Sequence, residues 1–193
     1  DAADRLEVNG GAVGETGGQA GEGGLVATND ATLVKALRGM RNYGDTGAYD
    51  PDWLGLNARM TEFNAALGLA GLAQLDQKLR RRGQIAALYD GLLASLPGVR
   101  FQKVHSADVH TWKDYSIHVT PSEFGMTRDA LVEALLAENI ETKKYFYPPL
   151  HMQKLYRSFF DSAGDRLPDT EYVTSGIVSL PIYESLPDDT VEN

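Results

Sequence analysis

The sequence predicts an α/β protein, and three stretches after Gly98 carry that prediction. "KDYSIHVT" (Lys113–Thr120) alternates with the period of two expected of a half-buried strand. "TRDALVEALLAENI" (Thr127–Ile140) is amphipathic at helical spacing, with Thr127 as cap and Leu131, Leu135 and Leu136 facing inward. "LPDTEYVTSGIVSLPIY" (Leu167–Tyr183) reads as a capped helix followed by the short strand "IVSLPI".

The elements before and between these follow from local patterns. Residues 1–24 are loop-rich, and "GGLVAT" (Gly23–Thr28) then reads as a short buried strand. "TNDATLVKALRGMRNYG" is a helix that Asn29 or Asp30 can cap. Leu33, Leu37 and Met40 lie on one stripe of it, and Gly44 stops it. A Gly/Asp/Pro/Trp loop covers Asp45–Asn57. A long helical pattern begins near Thr61, with Phe63, Ala66, Leu67, Ala70 and Ala73 at helical spacing; it resumes after Gly83 and stops at Leu96–Gly98. Small residues dominate its first half, so that surface can approach another backbone closely and is expected to be buried against a partner element. "IETKKYFYPPLH" (Ile140–His151) reads as a strand entering a proline turn. No internal repeat is visible.

Composition excludes several classes of function. The chain has 193 residues, is 42% hydrophobic and carries a formal net charge of −9. A nucleic-acid surface would need a basic excess to release counterions from phosphates, and none exists. The one dense basic run, "KLRRR" at Lys78–Arg82, is on a helical pattern and reads as a solvated face. No apolar run approaches the roughly 20 residues of a membrane span, and no charged-then-apolar signal region is seen. The chain has no cysteine, which rules out disulfides and thiolate metal sites and fits a cytoplasmic location. His105, His110, His118 and His151 lack the HExxH spacing of a zinc site.

Four stretches point further: "DAAD" at the start, "GEGGLVATND", "LGLNARMTEFNAALGLAGLAQLD", and "YPPLHMQKLY" followed by "SLPIYESLPDD". In this order and approximate spacing they resemble the sugar aminotransferases of the DegT/DnrJ/EryC1 group. The resemblance implies fold-type I, the aspartate-aminotransferase-like fold. It also implies pyridoxal phosphate (PLP) as cofactor, a nucleotide-linked keto-sugar as substrate, an amino-acid donor and a homodimer. On that reading residues 1–60 are a remnant of the large cofactor-binding domain, 61–97 a connecting helical segment, and 98–193 a small C-terminal α/β domain. The alternative is a non-catalytic relative that keeps the dimer and a ligand pocket for binding or regulation.

The resemblance assigns roles residue by residue. A PLP enzyme needs a carboxylate at the pyridine nitrogen to keep the ring protonated as an electron sink; the Asp that opens the family's "DAA" motif is here Asp1, which in isolation reads equally as a helix cap. Asp4 stands where the family often has Gln or His near the phenolic oxygen, and a carboxylate there would repel that oxygen. Asn57 would cross the dimer interface to bond the neighbouring subunit's cofactor phosphate, or serve simply as a turn residue. Arg59, at the same mouth, would pair with an anionic nucleotide-sugar. Tyr145 and His151 would touch substrate hydroxyls, in a loop the diproline fixes; the alternative is that Tyr145, Phe146 and Tyr147 pack a seam between domains.

One expected residue is missing. In the resembling enzymes a serine- and lysine-bearing strand lies between a "VG…G" turn and the "GEGG" turn, and its lysine forms the internal aldimine. Here Val13–Gly17 matches the first turn and Gly21–Gly24 the second, with only "GQA" (Gly18–Ala20) between them. A strand of usual length with its serine and lysine needs roughly 8–12 residues. The first lysine is Lys35, on the following helix and out of register, and no histidine that would support the dehydrating variant precedes His105. The expectation is therefore a C-terminal half that is inactive as it stands.

Overall fold

Asp30 starts the first helix: its Oδ1 accepts the backbone N–H groups of Thr32 and Leu33 at 2.8 and 3.2 Å, two of the donors that a helix start leaves without partners. The computed structural model describes residues 11–12, 24–163 and 167–192. They divide into two units, Asp1–Leu75 and Asp76–Asn193.

In the first unit β1 (Gly11–Ala12) pairs antiparallel with β2 (Gly24–Leu25). Helix α1 (Ala31–Met40) and helix α2 (Glu62–Ala73) follow. The expected buried strand over Gly23–Thr28 is corrected: its ladder is two residues long, and Val26 is 48% exposed. Thr61 caps α2 by accepting the N–H of Asn64. No residue of α2 is buried in this chain, and Phe63 is 69% exposed; the small-residue surface has no cover among the described residues.

The long helical pattern breaks at Gln74 rather than at Gly83. Gly83 lies inside α3 (Leu75–Leu93), because a helical glycine costs only about 1 kcal/mol relative to alanine. Burying Ile85, Ala86 and Tyr89 on the same helix outweighs that. The second unit is built on α3 and a three-stranded antiparallel sheet, ordered β3 (Val99–Phe101), β4 (Tyr115–Val119), β5 (Ile177–Leu180). Tyr115, Ile117 and Val119 alternate into the core, where they join Val178, Leu186 and the buried face of α3. Gly98 makes the turn into β3 possible: its φ is +75°, and a Cβ there would lie 2.5 Å from the backbone nitrogen of Phe124.

Around the sheet lie α4 (Pro121–Phe124), α5 (Arg128–Ala137), a 3₁₀ turn (Leu150–Met152), α6 (Arg157–Ala163), α7 (Pro168–Gly176) and α8 (Asp188–Glu192). Three expectations are corrected here. Leu136 is 61% exposed rather than inward, whereas Leu131 packs on the core. Residues 140–151 form no strand. One bridge joins Lys143 to Ser179; the chain then turns, with Tyr147 N–H bonded to Lys144 O, and Pro148 and Pro149 supply no donors for a ladder. The basic run is no solvated face at Arg81 and Arg82: Arg81 pairs with Asp188 at 2.8 Å and Arg82 with Glu184 at 3.0 Å, so both tie α3 to the C-terminal segment.

Candidate active site

In the first unit two glycines bring distant segments together. A Cβ at Gly55 would sit 2.0 Å from the nitrogen of Gly44, so the backbones approach as only glycine allows. Leu56 N–H then bonds Met40 O at 2.7 Å, Tyr43 N–H bonds Leu56 O at 3.0 Å, and Ala58 N–H bonds Arg41 O at 2.9 Å. This ladder sets Asn57 opposite Asn42 and places the Arg59 guanidinium 5.5 Å from the centre of the Tyr43 ring.

Arg59 Nε donates to Asn57 Oδ1 at 3.3 Å. The Nδ2 group of Asn57 has no partner among the described residues. Beside the pair lies an open cleft of about 590 Å³ lined by Lys35, Arg38, Arg41 and Arg59, with Asn42, Thr46 and Asp45. Asp45 is the one carboxylate of this lining. It accepts the N–H groups of Gly47, Ala48 and Tyr49, and these, the Gly47 N–H first, hold its carboxyl below the usual carboxylate range. Amide and guanidinium donors side by side, in a cleft with surplus positive charge, suit a phosphate.

The second unit holds the other two candidates. Tyr145 is half-buried, its ring 4.8 Å from that of Phe146 and 5.8 Å from Lys113 Nζ. The His151 side chain is only 9% exposed. Its Nε2 lies 3.4 Å from Glu171 Oε1, and its ring packs on Phe160 at 4.7 Å. Lys143 bonds Glu141, and that bond draws the carboxyl of Glu141 down and the ammonium of Lys143 up. Asp1, Asp4 and residues 13–23 lie outside the described residues.

Sequence reasoning missed Arg38, Arg41 and Lys35 as cleft residues; their i, i+3, i+6 spacing on one helix was the available signal. Among the described residues no group of His, Asp and Glu has the arrangement of a metal site, and no helix is long and apolar enough to cross a membrane.

The order of these blocks along the chain has known counterparts. The profile of the DegT/DnrJ/EryC1/StrS aminotransferase family matches residues 19–193. The chain belongs to this family. Among DegT/DnrJ/EryC1/StrS relatives, it is 31% identical over 172 residues to the dTDP-4-amino-4,6-dideoxy-D-glucose transaminase of Escherichia coli, covering 88% of this chain and 46% of that protein. It is 32% identical over 186 residues to the spore coat polysaccharide biosynthesis protein SpsC of Bacillus subtilis strain 168, covering 90% and 48%. The chain thus spans about half the length of the curated relatives it matches. Its fold matches that of S. venezuelae DesV in complex with a ketimine intermediate, with a TM-score of 0.80 at 31% identity over 89% of this chain and 44% of that one. DesI in the presence of its TDP-sugar product matches with a TM-score of 0.74 at 30% identity, over 86% and 42%. The fold is fold-type I, and the cofactor of the family's aminotransferases is pyridoxal phosphate.

The described residues fit the phosphate end of that cofactor. Asn57 has an amide donor to give, Arg59 holds the amide carbonyl, and the neighbouring cleft carries surplus positive charge.

Proposed function

We propose that this chain forms part of a PLP-dependent sugar aminotransferase that moves an amino group from an amino acid to a nucleotide-linked keto-sugar. The observation that carries the reading is the Asn57–Arg59 pair beside the cleft of Lys35, Arg38 and Arg41, a donor set built for phosphate oxygens. PLP, when bound, supplies the electron sink that lets an amino group leave one carbon and join another. Asp1 keeps the pyridine nitrogen protonated. Asn57 donates from Nδ2 to the cofactor phosphate of the neighbouring subunit of a homodimer, and Arg59 pairs with the phosphates of the nucleotide-sugar. Tyr145 and His151 contact sugar hydroxyls, and the aromatic turn that carries Tyr145 keeps water off that face. Residues 1–60 are then the end of a large cofactor domain, 61–97 a connecting helical segment and 98–193 the small domain, in a cytoplasmic enzyme. The names of the E. coli relative and of the DesI structure support a nucleotide-linked sugar as substrate.

A second reading is favoured by the junction Gly14–Gly24, which contains no lysine. On it the chain is inactive as it stands, or is a non-catalytic relative that binds the same ligands without turnover. One experiment separates the two. The full-length protein, loaded with PLP, is mixed with dTDP-4-amino-4,6-dideoxy-D-glucose and an α-keto acid, and both the amino acid formed and the sugar bound are measured. Amino-acid formation supports the enzyme; binding without it supports the non-catalytic relative; neither binding nor transfer, with PLP in place, refutes both for that sugar.

A further inference from the structure

Residues 143–147 are held at several points, and two aromatic residues lie between the holds. Lys143 exchanges backbone hydrogen bonds with Ser179 of β5, at 3.1 and 2.7 Å. Lys144 Nζ donates to Asp129 Oδ1 at 2.6 Å. The Tyr147 ring lies 4.6 Å beneath the guanidinium of Arg128. Between these holds sit half-buried Tyr145 and Phe146, which is 68% exposed.

Arg128 is the fixed point. Its side chain is 3% exposed, and its Nη1 donates to the carbonyls of Thr174 at 3.2 Å and Ile177 at 3.0 Å, where α7 runs into β5. Its Nε donates at 2.7 Å to the same Asp129 oxygen that receives Lys144. One planar group thus grips the α7–β5 junction, supports an aromatic ring on its face and orients the carboxylate that takes Lys144. Lysine has neither the fork nor the flat face for this. A buried cation adds little net stability over an apolar side chain of similar volume, so stability alone gives a weak reason for a guanidinium here. Placing several groups at fixed angles gives a strong one.

We propose that Arg128, with Asp129, is a positioning residue that sets the conformation of the Lys144–Tyr147 segment and thereby presents Tyr145. The consequence for substrate rests on the reading of Tyr145 as a sugar contact; the clamp itself does not.

The test uses the full-length, PLP-loaded protein with Arg128→Lys, and with Asp129→Asn, an isosteric change at a largely exposed side chain that withdraws the charge shared by Arg128 and Lys144. Hydrogen exchange is read peptide by peptide. Both variants should speed exchange of the Lys144–Tyr147 amides by roughly tenfold, the size expected from losing one hydrogen bond to a charged group. Exchange in α3 and β4 should stay as in the parent. Steady-state kinetics with dTDP-4-amino-4,6-dideoxy-D-glucose should then show a higher KM for the sugar, with kcat and the KM of the α-keto acid unchanged. Unchanged exchange at 144–147, or faster exchange spread evenly over β3, β4, β5 and α3, would overturn the clamp. Faster local exchange with an unmoved sugar KM upholds the clamp and counts against Tyr145 as a sugar contact.

Discussion

Arg59 Nε and Asn57 Oδ1 are hydrogen-bonded across 3.3 Å, which commits the amide oxygen and leaves the amide nitrogen as a donor. Both side chains stand on a segment that the Gly44–Gly55 approach holds against the end of α1. A truncation at residue 57 therefore removes a donor without disturbing the backbone that carries it.

Asn57→Ala in the full-length protein should weaken PLP retention by about 1.5–3 kcal/mol, the value of a hydrogen bond to a charged group. Dialysis followed by cofactor absorbance measures this, and circular dichroism checks that the fold is kept. Unchanged cofactor affinity would remove Asn57 from the phosphate site.

The core tyrosines predict an alkaline limb in stability. Tyr115 donates from its hydroxyl to Asp90 Oδ1 at 2.6 Å and stacks on Tyr89 at 4.8 Å. Burial, then the bond to Asp90, pushes the Tyr115 hydroxyl far above the usual tyrosine range, and burial pushes Tyr89 up to about 12. In the unfolded chain both ionise near about pH 10. Below that pH both states keep the protons and the contribution is whole; above it the unfolded state releases protons first, so stability falls as pH rises toward 12. Urea midpoints measured from pH 9 upward should show this fall, and Tyr115→Phe should flatten it. A parent chain whose midpoint is level across that window contradicts the assignment.

Gly98→Ala tests the turn into β3. The added Cβ meets the backbone nitrogen of Phe124 at 2.5 Å and Thr120 O at 2.9 Å, at a φ of +75°. Backbone atoms yield less readily than the end of a flexible side chain, so a loss of about 1–3 kcal/mol is expected from overpacking, with strain at positive φ in addition. Chemical denaturation reads it directly; a loss below about 0.5 kcal/mol, the size of an ordinary surface change, would show that the turn relaxes freely.

This chain, incubated with PLP and reduced with borohydride, should carry no stoichiometric label on any single lysine. The Gly14–Gly24 junction contains none, and Lys35 is the only lysine before Lys78. Lys35 lines the unit's basic cleft, so its labelling is the outcome to look for by peptide mapping. Stoichiometric label there would show that the register argument is wrong.

The sequence by itself determined those elements whose signals are local. Thr127 is a cap, and the first helix is capped at Asn29 or Asp30, because a short polar side chain reaches its own helix start; the structure selects Asp30. Alternation placed Tyr115, Ile117 and Val119 on one face of β4, and the spaced motifs around Asn57 and Tyr147 were enough to read the family. Tertiary structure alone decided which of these signals prevailed. Gly83 failed to break a helix because Ile85 and Tyr89 are buried beside it. Residues 140–151 became an anchored turn because β5 offers them one bridge and the prolines offer no donors. Arg81, Arg82 and Arg128 left the solvent because carboxylates and carbonyls from distant segments meet them. Caps and periodicity are encoded within a few residues, whereas burial, pairing and the company a charge keeps depend on what the folded chain brings from far away in sequence.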